Sequence, residues 1–168
     1  LLRLIEEHNV THLVIATDLP GKNFRHDLYE DYKGNRKAPP EELIEQLPMF
    51  HKFLELTGIP VIGAENYEAD DVIGSISEQF SAQGHEVVIC SRDKDLMQLI
   101  NPNVTMIYND SKKGDIVTDI AAVKEKFNLP PEQIRDLLAI MGDTADNVPG
   151  VAKVGPKGAA LLLQEFGT

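Results

Sequence analysis

Asp18, Glu68, Asp70, Asp71, Asp93, Asp95, Asp143 and Asp146 are the residues of this chain best suited to chemistry. Asp18 comes directly after the apolar run "HLVIAT" (12–17). Glu68, Asp70 and Asp71 follow "IPVIGA" (59–64) after a short loop, and Asp93 and Asp95, in "SRDKDL", follow "EVVICS" (86–91). Asp143 and Asp146 lie in "MGDTADNVPG", behind an apolar helical pattern. Singly, each group has an ordinary explanation. Acids suit the first turn of a helix, where the macrodipole and free amides accept negative charge, and Gly, Asp, Asn and Pro make turns. Together they ask for more, because like charges gathered in one place repel and raise one another's pKa unless a cation sits among them. Oxygen donors select hard cations, so Mg²⁺ or Mn²⁺ is expected rather than Zn²⁺, and none of the five histidines falls in these clusters. Eight acids predict two ions, and paired ions can stabilise both the attacking and the leaving oxygen of a phosphodiester displacement. The expected chemistry is that of a nuclease.

Acids so far apart in sequence meet only if the chain folds to bring them together. The runs at 12–17, 59–64, 86–91 and "VTMIY" (104–108) are short enough to be buried strands. Between them, Leu43, Leu47, Phe50 and Leu54 mark one face of a helix over 40–57, and Val72, Ile73, Ile76 and Phe80 one over 69–83. Alternating strands and helices predict right-handed crossovers and an α/β fold with a mostly parallel, Rossmann-like sheet flanked by helices. In such a sheet the residues just past the strand ends converge, which is where the first three acidic groups lie. After residue 115 only helices are expected: 119–127, 130–141 with Ile134, Leu137, Leu138 and Met141 on one face, and 156–166. The division expected is an α/β core, 1–115, and a small helical region, 116–168.

Composition narrows the classes. With 168 residues and 42% hydrophobic content the chain can bury a good core. No apolar run approaches the roughly 18 residues of a membrane span, and the N-terminus lacks the layout of a secretory signal. The single cysteine, Cys90, fits a reducing cytoplasm and is expected to be a small core residue. A net charge of -11 speaks against a uniformly basic DNA-binding surface. The charge is nevertheless patterned: residues 22–37 hold five Lys or Arg against three acids, and 147–164 carry Lys153 and Lys157 with no acid.

The ordered set of Asp18, "FRHDLYEDYKGNR" (24–36), "YEADDVIG" (67–74), "SRDKDLMQL" (91–99) and "MGDTADNVPGVAKVGPKGAALLLQEFG" (141–167) resembles the 5′-nuclease domain of bacterial DNA polymerase I and the wider flap endonuclease family. The resemblance covers essentially the whole chain. It implies a structure-specific 5′–3′ exonuclease and flap endonuclease that hydrolyses DNA with divalent-metal-activated water, in replication and repair. By that resemblance the eight acids occupy metal-site positions, Lys33 and Arg36 grip the scissile phosphate, and Arg25 assists. The segment 149–163 resembles a helix-hairpin-helix, with Gly150 and Gly155 allowing close backbone approach, Lys153 and Lys157 adding charge, and a K⁺ ion bridging to the DNA. The expected partners are 5′-flapped, branched or nicked DNA and a fused polymerase domain, for an otherwise monomeric, cytoplasmic, nucleoid-associated bacterial protein with no membrane contact.

Three features depart from the family pattern. The family's first strand, which ends in a metal-binding Asp, is missing ahead of this sequence, and Asn23 and Arg92 stand where threonine and a small residue are common. Arg92 either partners Asp93 or points away. A rival reading, a truncated module that holds branched DNA without cutting it, is separated from the nuclease by Mg²⁺-dependent cleavage of a 5′ flap. A second rival, an RNA-cleaving toxin-type nuclease of the related PIN fold, lacks the long hairpin tail at 147–166.

Overall fold

The computed structural model describes residues 2–167. In chain order the helices and strands are α1 (Leu2–Glu7), β1 (Ile15–Ala16), α2 (Phe24–Leu28), α3 (Glu41–Thr57), β2 (Val61–Ile62), α4 (Ala69–Ala82), β3 (Val87–Cys90), β4 (Val104–Asp110), β5 (Gly114–Thr118), α5 (Ile120–Phe127), α6 (Ile134–Met141), β6 (Gly142–Asp143), β7 (Val148–Pro149) and α7 (Pro156–Phe166). Short 3₁₀ turns occupy Lys94–Leu99 and Pro131–Gln133. Every helix and strand expected from periodicity is present; β1, β2 and β3 are shorter than expected, and β4 runs two residues further.

The chain forms two compact units, one of residues 1–24 and 37–72, the other of 25–36 and 73–168. In the first, β1 and β2 pair in parallel, Ile15 against Val61 and Ala16 against Ile62. Helix α3 ends at Gly58, whose left-handed φ of 69° lets its amide close the last turn. Of the face expected to be buried on α3, only Leu54 is; Leu43, Leu47 and Phe50 are 44–49% exposed. A unit with two-residue strands offers that helix little apolar surface to pack against.

In the second unit β3 and β4 pair in parallel and β4 and β5 antiparallel. Strand β5 departs from the expectation of helices alone after residue 115. It is reached through a tight turn at Gly114, φ +77°, and "GDIVT" is too short to declare its period in sequence. Among the described residues the strands therefore form three small sheets, the third being the β6–β7 pair, rather than one continuous parallel sheet. The core lies here: Ile89 of β3, Val104 and Met106 of β4, Val123 of α5, Ile134 and Leu137 of α6, and Ala159 and Leu163 of α7 pack into one cluster. The helices after residue 116 share that core with β3 and β4, so the compact units cut across the 1–115 and 116–168 division. Cys90, expected inside, is exposed. Ile89 next to it takes the buried side of β3, and side chains alternate along a strand. Among the described residues no helix is long and apolar enough to cross a membrane.

The turn from α6 to α7 is built on two glycines. Gly142 ends α6 at φ +74°, and a Cβ on Gly150 would overlap the Met141 carbonyl, so the β6 and β7 backbones touch with no side chain between them. The Val151 amide then donates to the Ile140 carbonyl at 2.7 Å. Gly155, by contrast, has open space around its Cβ position and an ordinary φ of -93°. Gly150→Ala is therefore expected to destabilise the protein by about 2 kcal/mol or more. Gly155→Ala should stay within about 1 kcal/mol of wild type. Paired urea unfolding curves check both values.

Candidate active-site residues

In the first unit the acids surround the start of α4. Asp18 Oδ1 accepts from the Ala69 amide at 2.6 Å, and Asp71 Oδ2 from the Glu68 amide at 2.9 Å. Both carboxylates thus satisfy free amides at a helix N-terminus, the ordinary role that acids play there. Glu68 is buried, and its Oε1 accepts from Asn23 Nδ2 at 2.6 Å. Asn23 is therefore the partner of a buried carboxylate. Asp70 is exposed on the first turn of α4.

In the second unit Asp93 caps the 3₁₀ turn after β3, its Oδ1 accepting from the Asp95 amide at 2.9 Å. Asp95 meets Asp143 through a side-chain hydrogen bond, across a sequence gap that only the fold closes. Lys94 Nζ lies 3.5 Å from Asp143 Oδ2 and 3.8 Å from Asp95 Oδ1. Even so, Asp95 Oδ1 is buried with no hydrogen-bond partner. Burial, the shared proton with Asp143 and the charge of Asp93 push the Asp95 carboxyl up to about 7, against the pull of Lys94. Burial also acts to raise Asp143. The Ala145 amide, the Asp95 hydrogen bond and the Lys94 ammonium outweigh it and hold Asp143 below the usual carboxylate range.

The basic segment reaches the same loop. Tyr32 Oη donates to Asp146 Oδ2 at 2.8 Å, Arg36 Nη2 pairs with Asp146 Oδ1, and Lys33 Nζ is 4.0 Å from Asp146 Oδ2. Arg25 sits half-buried on the short helix α2, which gives way to turns over 29–35. The Arg92 guanidinium donates to the Asn109 carbonyl and lies 5.6 Å from the Tyr108 ring centroid, so it points away from Asp93. On the hairpin, Lys153 and Lys157 are exposed, and α7 starts at Pro156 behind Gly155.

Sequence reasoning passed over Tyr32, Lys94 and Asn147. Lys94 had a signal in its alternation with Asp93 and Asp95. Tyr32 and Asn147 had none, since their partners are set by the fold: Asn147 Nδ2 donates to the Asp31 carbonyl at 2.8 Å. Among the described residues no three His, Cys, Asp or Glu side chains are arranged as a group able to hold a metal ion.

Residues 1–128 match the family model described as 5′-3′ exonuclease, N-terminal resolvase-like domain, and 129–168 match 5′-3′ exonuclease, C-terminal SAM fold. The chain belongs to the 5′-3′ exonuclease family. It is 44% identical to DNA polymerase I of Bacillus caldotenax over 99% of this chain and 19% of that protein. It is 42% identical to the 5′-3′ exonuclease of Aquifex aeolicus strain VF5 over 100% of this chain and 57% of that one. The chain thus spans little more than half, or far less, of the length of these relatives. Among solved structures it is similar to a T5 5′-exonuclease with bound divalent zinc ions, at 27% identity and a TM-score of 0.83, covering 99% of this chain and 65% of that one. It is also similar to a T5 flap endonuclease in a pseudo-enzyme-product complex with DNA and metal ions, at 25% identity and a TM-score of 0.83, covering 99% and 64%.

Asp95 and Asp143 supply only oxygen donors, the kind a hard ion takes, and Asp95 Oδ1 makes no hydrogen bond, its neighbour being the Lys94 ammonium at 3.8 Å. A carboxyl raised by folding is stable while protonated. The stabilising effect is full below 3.8 and is lost as pH rises through about 7. In EDTA, Asp95→Asn should therefore raise stability at pH 8 by about 1–2 kcal/mol, after allowing for partial exposure, and change little near pH 4. Thermal unfolding across pH measures this, and added Mg²⁺ should raise the Tm of wild type more than that of the variant.

Proposed function

We propose that the chain hydrolyses DNA phosphodiester bonds as a divalent-metal-dependent 5′–3′ exonuclease and flap endonuclease, as part of a DNA polymerase I-like protein in replication and repair. The observation that carries the reading is the loop 143–146, whose Asp143 meets Asp95 at one end while its Asp146 meets Lys33 and Arg36 at the other. Carboxylates suited to a cation and side chains suited to a phosphate share one short stretch of backbone. Asp93, Asp95, Asp143 and Asp146 are the proposed cation ligands of the second unit, and Asp18, Glu68, Asp70 and Asp71 are further candidates from their places in the family motif. Oxygen ligands favour Mg²⁺ or Mn²⁺, with two ions as the family chemistry suggests. When bound, such ions supply Lewis acidity and an activated water.

This chain's own residues do the rest. Lys33 offers the phosphate a point charge and Arg36 a bidentate fork, both strongest where charge develops in the transition state. Arg25 adds charge from α2. The turn 150–155 and the start of α7 present backbone amides to a DNA phosphate, with Lys153 and Lys157 giving affinity that ignores sequence. Carbonyls of the same turn are the proposed seat of a K⁺ ion. Recognition would rest on DNA shape and backbone rather than base edges. The proposed setting is the bacterial cytoplasm, at the nucleoid.

On a 5′-flapped duplex, Mg²⁺-dependent cleavage releasing 5′-phosphorylated product is expected. Asp143→Asn and Lys33→Ala should each lower the single-turnover rate by about 10²-fold or more. The absence of a three-ligand group among the described residues favours the alternative, a module that holds branched DNA without cutting it. Tight binding with no cleavage by a chain extended upstream would favour that alternative. In binding titrations across salt, Lys153→Ala and Lys157→Ala should each flatten the slope of log K against log salt by about 1, equally on unrelated sequences.

A further inference from the structure

Arg92 and Lys126 are cations that the candidate site does not use, and both line one groove of the second unit. The groove lies between β4, β5, α5 and the 3₁₀ turn after β3, with a volume of about 400 Å³. Its lining is otherwise mostly apolar. Tyr108 faces Ile116 across the β4–β5 ladder, and residues directly opposite in a ladder share a face. Buried Met97 and Ala122 of α5 complete that lining. The Arg92 guanidinium donates to the Asn109 carbonyl and stands 5.6 Å from the Tyr108 ring centroid. Lys126 Nζ is 3.8 Å from Met97 Sδ and 5.0 Å from the Phe127 ring centroid. The contacts of both cations are thus a carbonyl, a thioether and aromatic rings, and among the described residues neither forms an ion pair with a carboxylate. The Arg92 charge reaches Asp110, but that carboxylate is bonded to the Lys112 and Lys113 amides at 2.9 and 3.0 Å.

We propose that this groove binds a nucleoside 5′-monophosphate, with the base against Tyr108 and Ile116 and the phosphate taken by Arg92 and Lys126. An apolar hollow with a few polar groups at its margin is the usual form of a small-molecule site, and this volume suits one nucleotide rather than a duplex. Charge selects the kind of phosphate. A terminal phosphate carries about -1.5 to -2 at pH 7, matching two cations, whereas each diester of a strand carries about -1. Arg92 commits part of its fork to Asn109 and keeps the rest for phosphate oxygens. Lys126 is committed only to a thioether, a weak acceptor that a phosphate readily replaces. The flat base has the Tyr108 ring to stack on. A 5′-phosphorylated nucleotide is also the class of product that the proposed exonuclease releases, so the groove would let product act back on the enzyme. That link rests on the nuclease reading; the binding itself does not.

An NMR titration of the isotopically labelled chain with thymidine 5′-monophosphate in EDTA tests this without metal or DNA. Saturable amide shifts are expected at Ile116, Val117, Thr118, Ala122 and Lys126, with none of comparable size at Lys33 or Arg36. Lys126→Ala and Arg92→Ala should each weaken the affinity at least about tenfold, as loss of a hydrogen bond to a charged group does. Lys124→Ala, two residues earlier and so on another face of α5, should leave it within about twofold. Thymidine and inorganic phosphate, each supplying half of the ligand, should bind at least about tenfold more weakly than the nucleotide. No saturable shift at the groove, shifts led by Lys33 and Arg36, or an affinity untouched by both groove variants overturns the proposal. So does equal affinity for thymidine or phosphate alone. Equal or tighter binding of a 5′-hydroxyl oligothymidine trimer at the same residues also overturns it, by making the occupant a strand of diesters. Flap cleavage on the same preparations reads the nuclease separately. Cutting with no nucleotide in the groove removes only this inference, and a nucleotide in the groove without cutting removes only its link to product.

Discussion

The close approach of two backbones at Gly142 and Gly150 is the constraint on which the functional half of the second unit depends. With no Cβ at either position, the chain leaves α6, folds back as β7 and locks through the Val151 amide on the Ile140 carbonyl. A loop closed this tightly can reach in two directions at once. Asp143, paired with Val148 across the ladder, faces Lys94 and Asp95, whereas Asp146, further round the loop, faces the turn carrying Tyr32, Lys33 and Arg36. The same closure aims the chain toward α7, whose Ala159 and Leu163 anchor it in the core beside Ile134 and Leu137. Core packing thus holds the loop rigid, and the loop holds the charged side chains.

The acids share a second principle. Asp18, Asp71, Asp93 and Asp143 each accept a backbone amide, from Ala69, Glu68, Asp95 and Ala145. Such bonds orient a carboxylate and stabilise its charge while leaving lone pairs for a ligand. Asp95 differs: it is hydrogen-bonded to Asp143, and its Oδ1 is buried with no hydrogen bond, only the Lys94 ammonium 3.8 Å away. Leaving a polar atom in that condition costs stability in the protein alone. Sites of chemistry are where folds carry such a cost.

Much of this was legible in the sequence because it rests on local rules. The helices α4, α6 and α7 follow from apolar spacing and from the prolines and glycines at their ends, and β3 and β4 from short apolar runs. The acids stood out because they recur behind those runs. Strand β5 was not legible: five residues carry too little periodicity to compete with the helical pattern that follows. The exposure of Leu43, Leu47 and Phe50 was hidden for another reason, since periodicity marks a face without saying whether a partner covers it. The Asp95–Asp143 and Tyr32–Asp146 contacts join residues 48 and 114 positions apart, read from their numbers, and no spacing rule reaches that far.

A net charge of -11 and the proposed grip on phosphate look contradictory only when charge is averaged. Lys33, Arg36 and Lys94 each stand against a carboxylate, so the acids hold the cations in place as much as they cancel them. A free lysine or arginine on an open surface samples many rotamers and loses that freedom on binding. One already paired loses less, and a polyanion brought with its own divalent counter-ions can take the cation over without first ordering it. An acidic scaffold is then compatible with a polyanionic substrate, provided that the exchange of partners is close to balanced. In this protein the shielded carboxylate of Asp146 holds Lys33 and Arg36 in that way, with Tyr32 donating to it beside them.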